Sequence, residues 1–451
     1  MTRLFGTDGV RGIANQELTP DLAFRLGWAG ARVLAGACQH KAMILVGQDA
    51  RISCDMLESA LVAGICSAGA DALVAGVVPT PAIAYLTRKY QCDAGVMISA
   101  SHNAYEFNGI KFFSESGYKL PDETEDRIES LTANYREDAS ERPVGDRVGR
   151  RLERKSAAHD YAEHLKRRMG VDLSGLRIAI DCANGACAAI APGLFADLGA
   201  DVHAIGVEPN GININDGCGS LHPEKLRELV CRETCDLGLA FDGDADRMLA
   251  LDEHGEVIDG DVAMAIIARD MKLKGTLKDD TLVVTVMSNL GLDLMARSNG
   301  IQMVKTKVGD RYVLEEMLQH GYTIGGEQSG HIILLEHATT GDGLLSSLRL
   351  LRAICDSGQK LSEARRVMRV LPQVQRSARI PNGNKQAALK DEAICSRIGA
   401  IEQELAGRGR VLVRASGTEP IIRVMLEGED PERIGQLADE LTLMITSRFG
   451  A

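Results

Sequence analysis

The sequence has no surplus of positive charge. In 451 residues, 51 Lys and Arg stand against 63 Asp and Glu, a net charge of −12. A nucleic-acid binder normally shows a basic field, so that class is set aside. A phosphorylated small molecule stays open, because a few Arg and Lys can dominate inside a cleft. The opening residues MTRLFGTDGVRG contain no apolar core of a signal peptide. A bilayer-spanning helix needs roughly 20 continuous apolar residues. The most apolar stretch, 59–86, is instead cut by Gly64, Gly69, Gly76, Pro79 and Pro81, and is expected as buried core with no membrane contact. The 11 cysteines lack paired CxxC spacing and a matching His cluster, which predicts reduced thiols in a cytoplasmic protein. A GxSxG elbow is also absent, which argues against a hydrolase-type nucleophile.

What the chain does have is alternation. With 45% apolar and 25% charged residues it reads as ordinary globular protein, and its length calls for two to four domains. AMILVGQ (42–48), ALVAGVV (72–78) and AGVMIS (94–99) predict strands of a parallel α/β layer. Between them Ser53 is expected to cap a helix with Leu57, Leu61 and Ile65 on one face, and Thr80-Pro81 to open another. LRIAID (176–181) starts a second such block and TLVVTVM (281–287) a third. The expected divisions are 1–150, 151–256, 257–368 and 369–451, the last a smaller unit. Each of the first three blocks holds an apolar strand, a polar loop and a second apolar strand. The loops are SASHNAYEFN, DGDADR and GGEQSGH.

In DGDADR, Asp242, Asp244 and Asp246 alternate, offering three hard oxygen ligands for Mg²⁺ or Ca²⁺. A calcium EF-hand would need Gly where Arg247 stands, and helical rather than strand flanks. Three adjacent carboxylates repel, so Arg247 and a cation are the expected compensation. In ISASHNAYEFNGIK, Ser101 is either a nucleophile or part of an exposed polar turn, and Lys111 either a functional or a snorkelling lysine. In GGEQSGH, Gly325, Gly326 and Gly330 would let backbone approach a ligand, Glu327 and Ser329 could bind sugar hydroxyls, and His331 could bind phosphate or move a proton. RASGTEPIIR supplies Arg414 and Arg423 around Ser416, Gly417 and Thr418, a donor set suited to phosphate. Its plain alternative is a surface ion pair of Arg414 with Glu419.

SASHN followed by NGIK, then DGDADR, GEQSGH and RASGTEP, in that order and from FGTDGVRG to RVMLEG, resemble the four signature loops of the α-D-phosphohexomutases. FGTDGVRG, and Gln328 where glucose and mannose enzymes typically carry Met, resemble the amino-sugar branch. The resemblance implies an α/β, four-domain phosphohexomutase-like architecture, three similar mixed α/β domains plus a smaller C-terminal α+β domain around a central cleft. Ser101 would be the phosphoserine, completing with Asp242, Asp244 and Asp246 the shell of one Mg²⁺ per subunit. His102 would shape its turn. Arg11, Lys111, Arg247 and His331 would surround the transferring phosphoryl group, Lys111 and His331 as candidates for proton transfer. Glu327 and Ser329 would read the sugar, and Arg414, Ser416, Gly417, Thr418 and Arg423 would hold the distal phosphate of a hexosamine phosphate. Glucosamine 6-phosphate and glucosamine 1-phosphate would interconvert through a hexose 1,6-bisphosphate, supplying UDP-N-acetylglucosamine synthesis, and a homodimer is compatible with this. Rival readings are a mannose or glucose branch, a sugar-phosphate phosphatase, and a binding protein without turnover. Ala104 and Phe107 depart from the family's usual Pro and acidic residue, which bears on loop rigidity.

Overall fold

The computed structural model describes residues 3–6, 8–36, 40–135, 142–416 and 419–450. Gly417 and Thr418 therefore lie outside the described residues. Two compact units form, Met1–Met287 with Ile301–Arg366, and Ser288–Gly300 with Val367–Ala451.

The larger unit contains three mixed sheets. In the first, β1 (Val10–Ile13), β2 (Met43–Gln48), β3 (Asp71–Val77), β4 (Ala94–Ile98), β5 (Phe107–Ser114) and β6 (Arg151–Glu153) take the order β1-β5-β4-β2-β3-β6. The expected parallel layer is its centre: β4, β2, β3 and β6 run parallel, while β5 alone is reversed, lying antiparallel to both β4 and β1. Because Arg151–Glu153 pairs with β3, this sheet extends three residues past the division expected at 150. In the second sheet, β7 (Arg177–Asp181), β8 (Asp201–Ile205), β9 (Leu237–Phe241), β10 (Met248–Asp252) and β11 (Val257–Ile258) take the order β11-β10-β9-β7-β8. In the third, β12 (Thr281–Thr285), β13 (Gln302–Thr306), β14 (Ile324–Gly326) and β15 (Ile332–Leu334) take the order β13-β12-β14-β15.

These sheets share one device. An apolar strand runs to a polar loop and the chain returns antiparallel: β4 to β5, β9 to β10, β14 to β15. Fully buried strands such as Leu237–Phe241 fix the register, because a slip of one residue would alter every cross-strand contact. The loops at their ends thereby acquire fixed positions.

Two expected helix caps are put to other uses. The helix Cys54–Ser67 does bury Leu57, Leu61 and Ile65, but Ser53 makes no side-chain cap; its hydroxyl accepts a hydrogen bond from Asn108 Nδ2 at 2.8 Å. In Thr80–Lys89 the cap position is Pro79, and Thr80 turns its hydroxyl to Asp244.

In the smaller unit, β16 (Gln373–Arg379), β17 (Gly409–Ala415) and β18 (Ile421–Gly428) form an antiparallel sheet, β18 central. The helices Glu392–Glu404 and Pro431–Phe449 cover it, with Ile394, Ile401, Leu437 and Leu441 in a shared core. Residues 288–300, expected inside the third division, belong to this unit. Buried Asn289 exchanges two hydrogen bonds with Leu371, and buried Glu427 accepts from Leu290 N and Arg410 Nε at 2.9 and 2.6 Å. No helix among the described residues is long and apolar enough to cross a membrane.

Candidate functional site

Ser101 is fully buried rather than on an exposed turn, and its φ of +54° places a non-glycine residue in the left-handed region. Its N–H donates to Ser99 Oγ at 2.9 Å and its Oγ donates to Asp242 Oδ2 at 2.7 Å. Its carbonyl accepts from Arg51 Nη2 at 2.8 Å and from Asn215 Nδ2 at 2.9 Å. The Nδ1 of His102 stands 3.5 Å from Oγ, a weak contact. Burial, with Arg247 and Arg11 nearby, lowers the pKa of His102 to about 4, so the ring is neutral. No serine–histidine charge relay is built here.

The loop between β9 and β10 buries Asp242, Asp244 and Asp246, whose ligand oxygens lie within 4.8 Å of one another. Strands flank it, which disposes of the EF-hand. Asp244 Oδ2 is taken by Lys111 Nζ at 2.9 Å and Thr80 Oγ1 at 2.5 Å, whereas its Oδ1 is buried without a partner. Asp246 Oδ1 is likewise buried without a hydrogen bond. Burial, then Asp246 and Asp244, push the Asp242 carboxyl well above the usual range. Burial pushes Asp246 up too, but His331, Lys111 and Arg247 outweigh it and hold the group below that range. Unpartnered hard oxygens in a repelling trio are what a divalent cation such as Mg²⁺ would satisfy, so the donor set fits one.

Cations ring the trio. Lys111 is buried between Asp244 and Asp8, the latter at 3.0 Å, and these two carboxylates overcome burial to raise its pKa. Asp8 also accepts from Arg11, and from Lys119 at 2.7 Å; Lys119 in turn reaches Asp310 at 2.6 Å. Arg247 has a buried, unpartnered Nε 3.7 Å from Asp246. His331 is buried with Nδ1 3.5 Å from Asp246, while Nε2 accepts the Gly341 N–H at 3.0 Å. That bond places the proton of a neutral ring on Nδ1, toward Asp246, and the carboxylates of Asp246 and Asp310 favour its protonation against burial.

The third loop is bound to the second. Met248 N donates to Gly330 O at 3.1 Å, and Gly330 has φ +90° with Met248 O 1.9 Å from where a Cβ would stand. Its close approach is thus to β10, not to a ligand. Glu327 Oε1 accepts from Gly309 N at 3.1 Å, Ser329 is exposed, and Gln328 Nε2 donates to Asp259 Oδ2 at 3.1 Å. Gln328 is therefore held by a carboxylate that also caps the helix Gly260–Leu273.

In the smaller unit Arg414 and Arg423 are cross-strand partners on β17 and β18, and Ser416 is buried. Burial and Arg423 lower the pKa of Arg414. Glu419 pairs with Arg423 at 2.7 Å, so the expected alternative pair with Arg414 does not form.

Asp8, Arg51, Lys119, Asn215 and Asp310 join the larger unit's site without having been singled out from sequence, and Thr80, expected only as a helix cap, joins it through Asp244. Asp8 lies inside FGTDGVRG; the others carry no local pattern.

Four family models match the chain. They are phosphoglucomutase/phosphomannomutase α/β/α domain I at residues 2–139, domain II at 159–255, domain III at 259–370, and the C-terminal domain at 350–444. Phosphoglucosamine mutase of Acetivibrio thermocellus is 56% identical over 450 residues, and that of Clostridium novyi 56% over 451, each covering 100% of both chains. A solved phosphoglucomutase/phosphomannomutase family protein from Burkholderia thailandensis superposes with TM-score 0.80 at 21% identity, covering 99% of this chain and 98% of that one. The Aspergillus fumigatus N-acetylphosphoglucosamine mutase, solved with GlcNAc-6P and magnesium, gives TM-score 0.71 at 17% identity, covering 98% and 95%.

Proposed function

The chain belongs to the phosphoglucomutase/phosphomannomutase family, and on that premise we propose that it interconverts glucosamine 6-phosphate and glucosamine 1-phosphate through a phosphorylated Ser101. The observation that carries the reading is the 2.7 Å contact of Ser101 Oγ with Asp242 inside the buried carboxylate trio. Full-length similarity to phosphoglucosamine mutases supports the amino-sugar substrate.

Phospho-Ser101 gives its phosphoryl group to the free hydroxyl of the hexosamine monophosphate. The new oxygen–phosphorus bond forms as the bond to Ser101 Oγ breaks, leaving a 1,6-bisphosphate, and Ser101 Oγ then takes back the other phosphoryl group. His331 on Asp246 is the group we assign to take the hydroxyl proton, and Lys111, kept protonated by Asp244 and Asp8, the one to supply a proton to the departing Ser101 Oγ. Arg11, Lys111 and Arg247 balance charge on the transferring oxygens, and His102, neutral, shapes the turn. Asp242, Asp244 and Asp246 would hold Mg²⁺, which when bound neutralises charge developing during transfer. Burial of Ser101 supports exclusion of water, without which the phosphoenzyme would act as a phosphatase.

Glu327 and Ser329 are assigned to the sugar hydroxyls. Arg414, Ser416, Gly417, Thr418 and Arg423 are assigned to the non-reacting phosphate. The reaction is cytoplasmic and supplies UDP-N-acetylglucosamine synthesis. The deciding experiment follows glucosamine 6-phosphate and glucosamine 1-phosphate with purified protein, Mg²⁺ and a trace of hexose 1,6-bisphosphate, alongside glucose 1-phosphate and mannose 1-phosphate. Preference for the amino sugar is expected. Phosphate release without isomerisation would overturn the mutase reading.

A further inference from the structure

Lys385 is a lysine buried to 8% exposure whose ammonium has no carboxylate partner among the described residues. Burying a charge without an opposite charge is costly, so its retention needs a reason. Its Nζ donates to the carbonyl oxygens of Ser416 and Glu419, at 2.7 and 2.5 Å. These residues stand on either side of the turn joining β17 to β18. The turn is closed by Ser416 N–H to Ile421 O at 3.0 Å and by Glu419 N–H to Ser416 Oγ at 3.2 Å. With Arg414 and Arg423 opposite each other, this end of the sheet gathers three cations. Only Arg423 has a carboxylate among the described residues, the exposed Glu419.

We propose that Lys385 is a positioning residue for phosphate binding: it draws two carbonyl oxygens of the RASGTEP turn onto itself, so that they do not face the anion, and leaves a local positive charge that the anion completes. A carbonyl oxygen turned to a phosphate would repel it, and a fixed ammonium prevents that without touching the ligand. The inference rests on the reading of this turn as the holder of the non-reacting phosphate.

The test uses the full-length enzyme with Lys385→Met and Lys385→Arg. For Lys385→Met, KM for glucosamine 6-phosphate should rise roughly tenfold to a hundredfold, the usual cost of a lost charged hydrogen bond, with kcat within about threefold. The inhibition constant of inorganic phosphate should rise in parallel. Lys385→Arg, which keeps the charge, should recover both constants. An unchanged KM, or a fall in kcat alone, overturns the proposal. So does a KM that stays high in Lys385→Arg at wild-type melting temperature, since the retained charge would then not be what binding needs. Wild-type enzyme with no mutase activity on any hexose phosphate would instead strike the functional reading.

Discussion

Arg51 Nη2 donates to the carbonyl oxygen of Ser101 at 2.8 Å, from a side chain with no solvent exposure. The same guanidinium donates to Asn103 O at 2.9 Å, to Ala104 O at 2.5 Å and to Phe107 O at 3.0 Å, while Nε donates to Asp49 Oδ2 at 2.9 Å. Asp49 in turn accepts from Ser99 Oγ at 2.6 Å, and Ser99 Oγ accepts the Ser101 N–H. The planar fork thus fixes the whole turn that carries the nucleophile. A lysine has no such fork. Arg51→Lys should therefore fold but lose about a hundredfold in kcat, the scale of a misplaced reacting group. Steady-state kinetics beside a melting curve checks this. Wild-type kcat would mean that the strand ends alone hold the loop.

The left-handed backbone of Ser101, φ +54°, separates two inactive variants. Ser101→Ala and Ser101→Gly both remove the nucleophile and should show no turnover. Alanine keeps the penalty of that conformation and glycine does not. Ser101→Gly should therefore be the more stable of the two by about 1 kcal/mol in urea unfolding. The reverse order would show that the turn relaxes once Oγ leaves Asp242.

The carboxylate trio predicts opposite effects on stability and activity. Burial, Asp246 and Asp244 raise the Asp242 pKa in the folded chain, so without metal its ionised form is disfavoured by folding. The stability cost therefore grows as pH rises from the unfolded carboxylate value through the folded one. At pH 7 and in EDTA, Asp242→Asn should be more stable than wild type by about 1–2 kcal/mol. It should also lose turnover and the rise in melting temperature that Mg²⁺ gives wild type. Calorimetry with and without Mg²⁺ measures both. An undiminished Mg²⁺ shift in the variant would remove Asp242 from the metal shell.

The strands, and the loops at their ends, were legible because buried strands and polar loops differ sharply in composition over five to ten residues. Alternating Asp242, Asp244 and Asp246 were legible because a short acidic loop between apolar strands has few other uses. Arg51 and Asn215 were not, since each acts on a loop dozens of residues away: Arg51 reaches Ser101 across 50 positions and Asn215 across 114. Local cap rules also misdirected Ser53 and Thr80, whose hydroxyls answer to Asn108 and Asp244 rather than to their own helices. The placement of 288–300 with the C-terminal unit was hidden for the same reason, because Asn289 finds Leu371 only in three dimensions.

Away from the site, His164 gives the chain an acid-side weakness. Its ring stacks on Tyr85 with centroids 3.8 Å apart. Burial lowers its pKa to about 4, helped by the charges of Arg168, Arg88 and Arg167 and by His337. The folded state thus binds this proton less readily than the unfolded chain, whose histidine titrates near 6.5. The stability contributed by the neutral ring is complete above about pH 6.5 and is lost as pH falls toward 4. His337, lowered in the same direction by burial, adds to the trend. His164→Phe keeps an aromatic ring against Tyr85 and cannot titrate. Between pH 6.5 and 4.5 its melting temperature should fall less than that of wild type, by on the order of 2 °C. At pH 8 the two should differ little in this respect. Parallel melting curves across that range would refute the assignment and leave the acid loss to carboxylates alone.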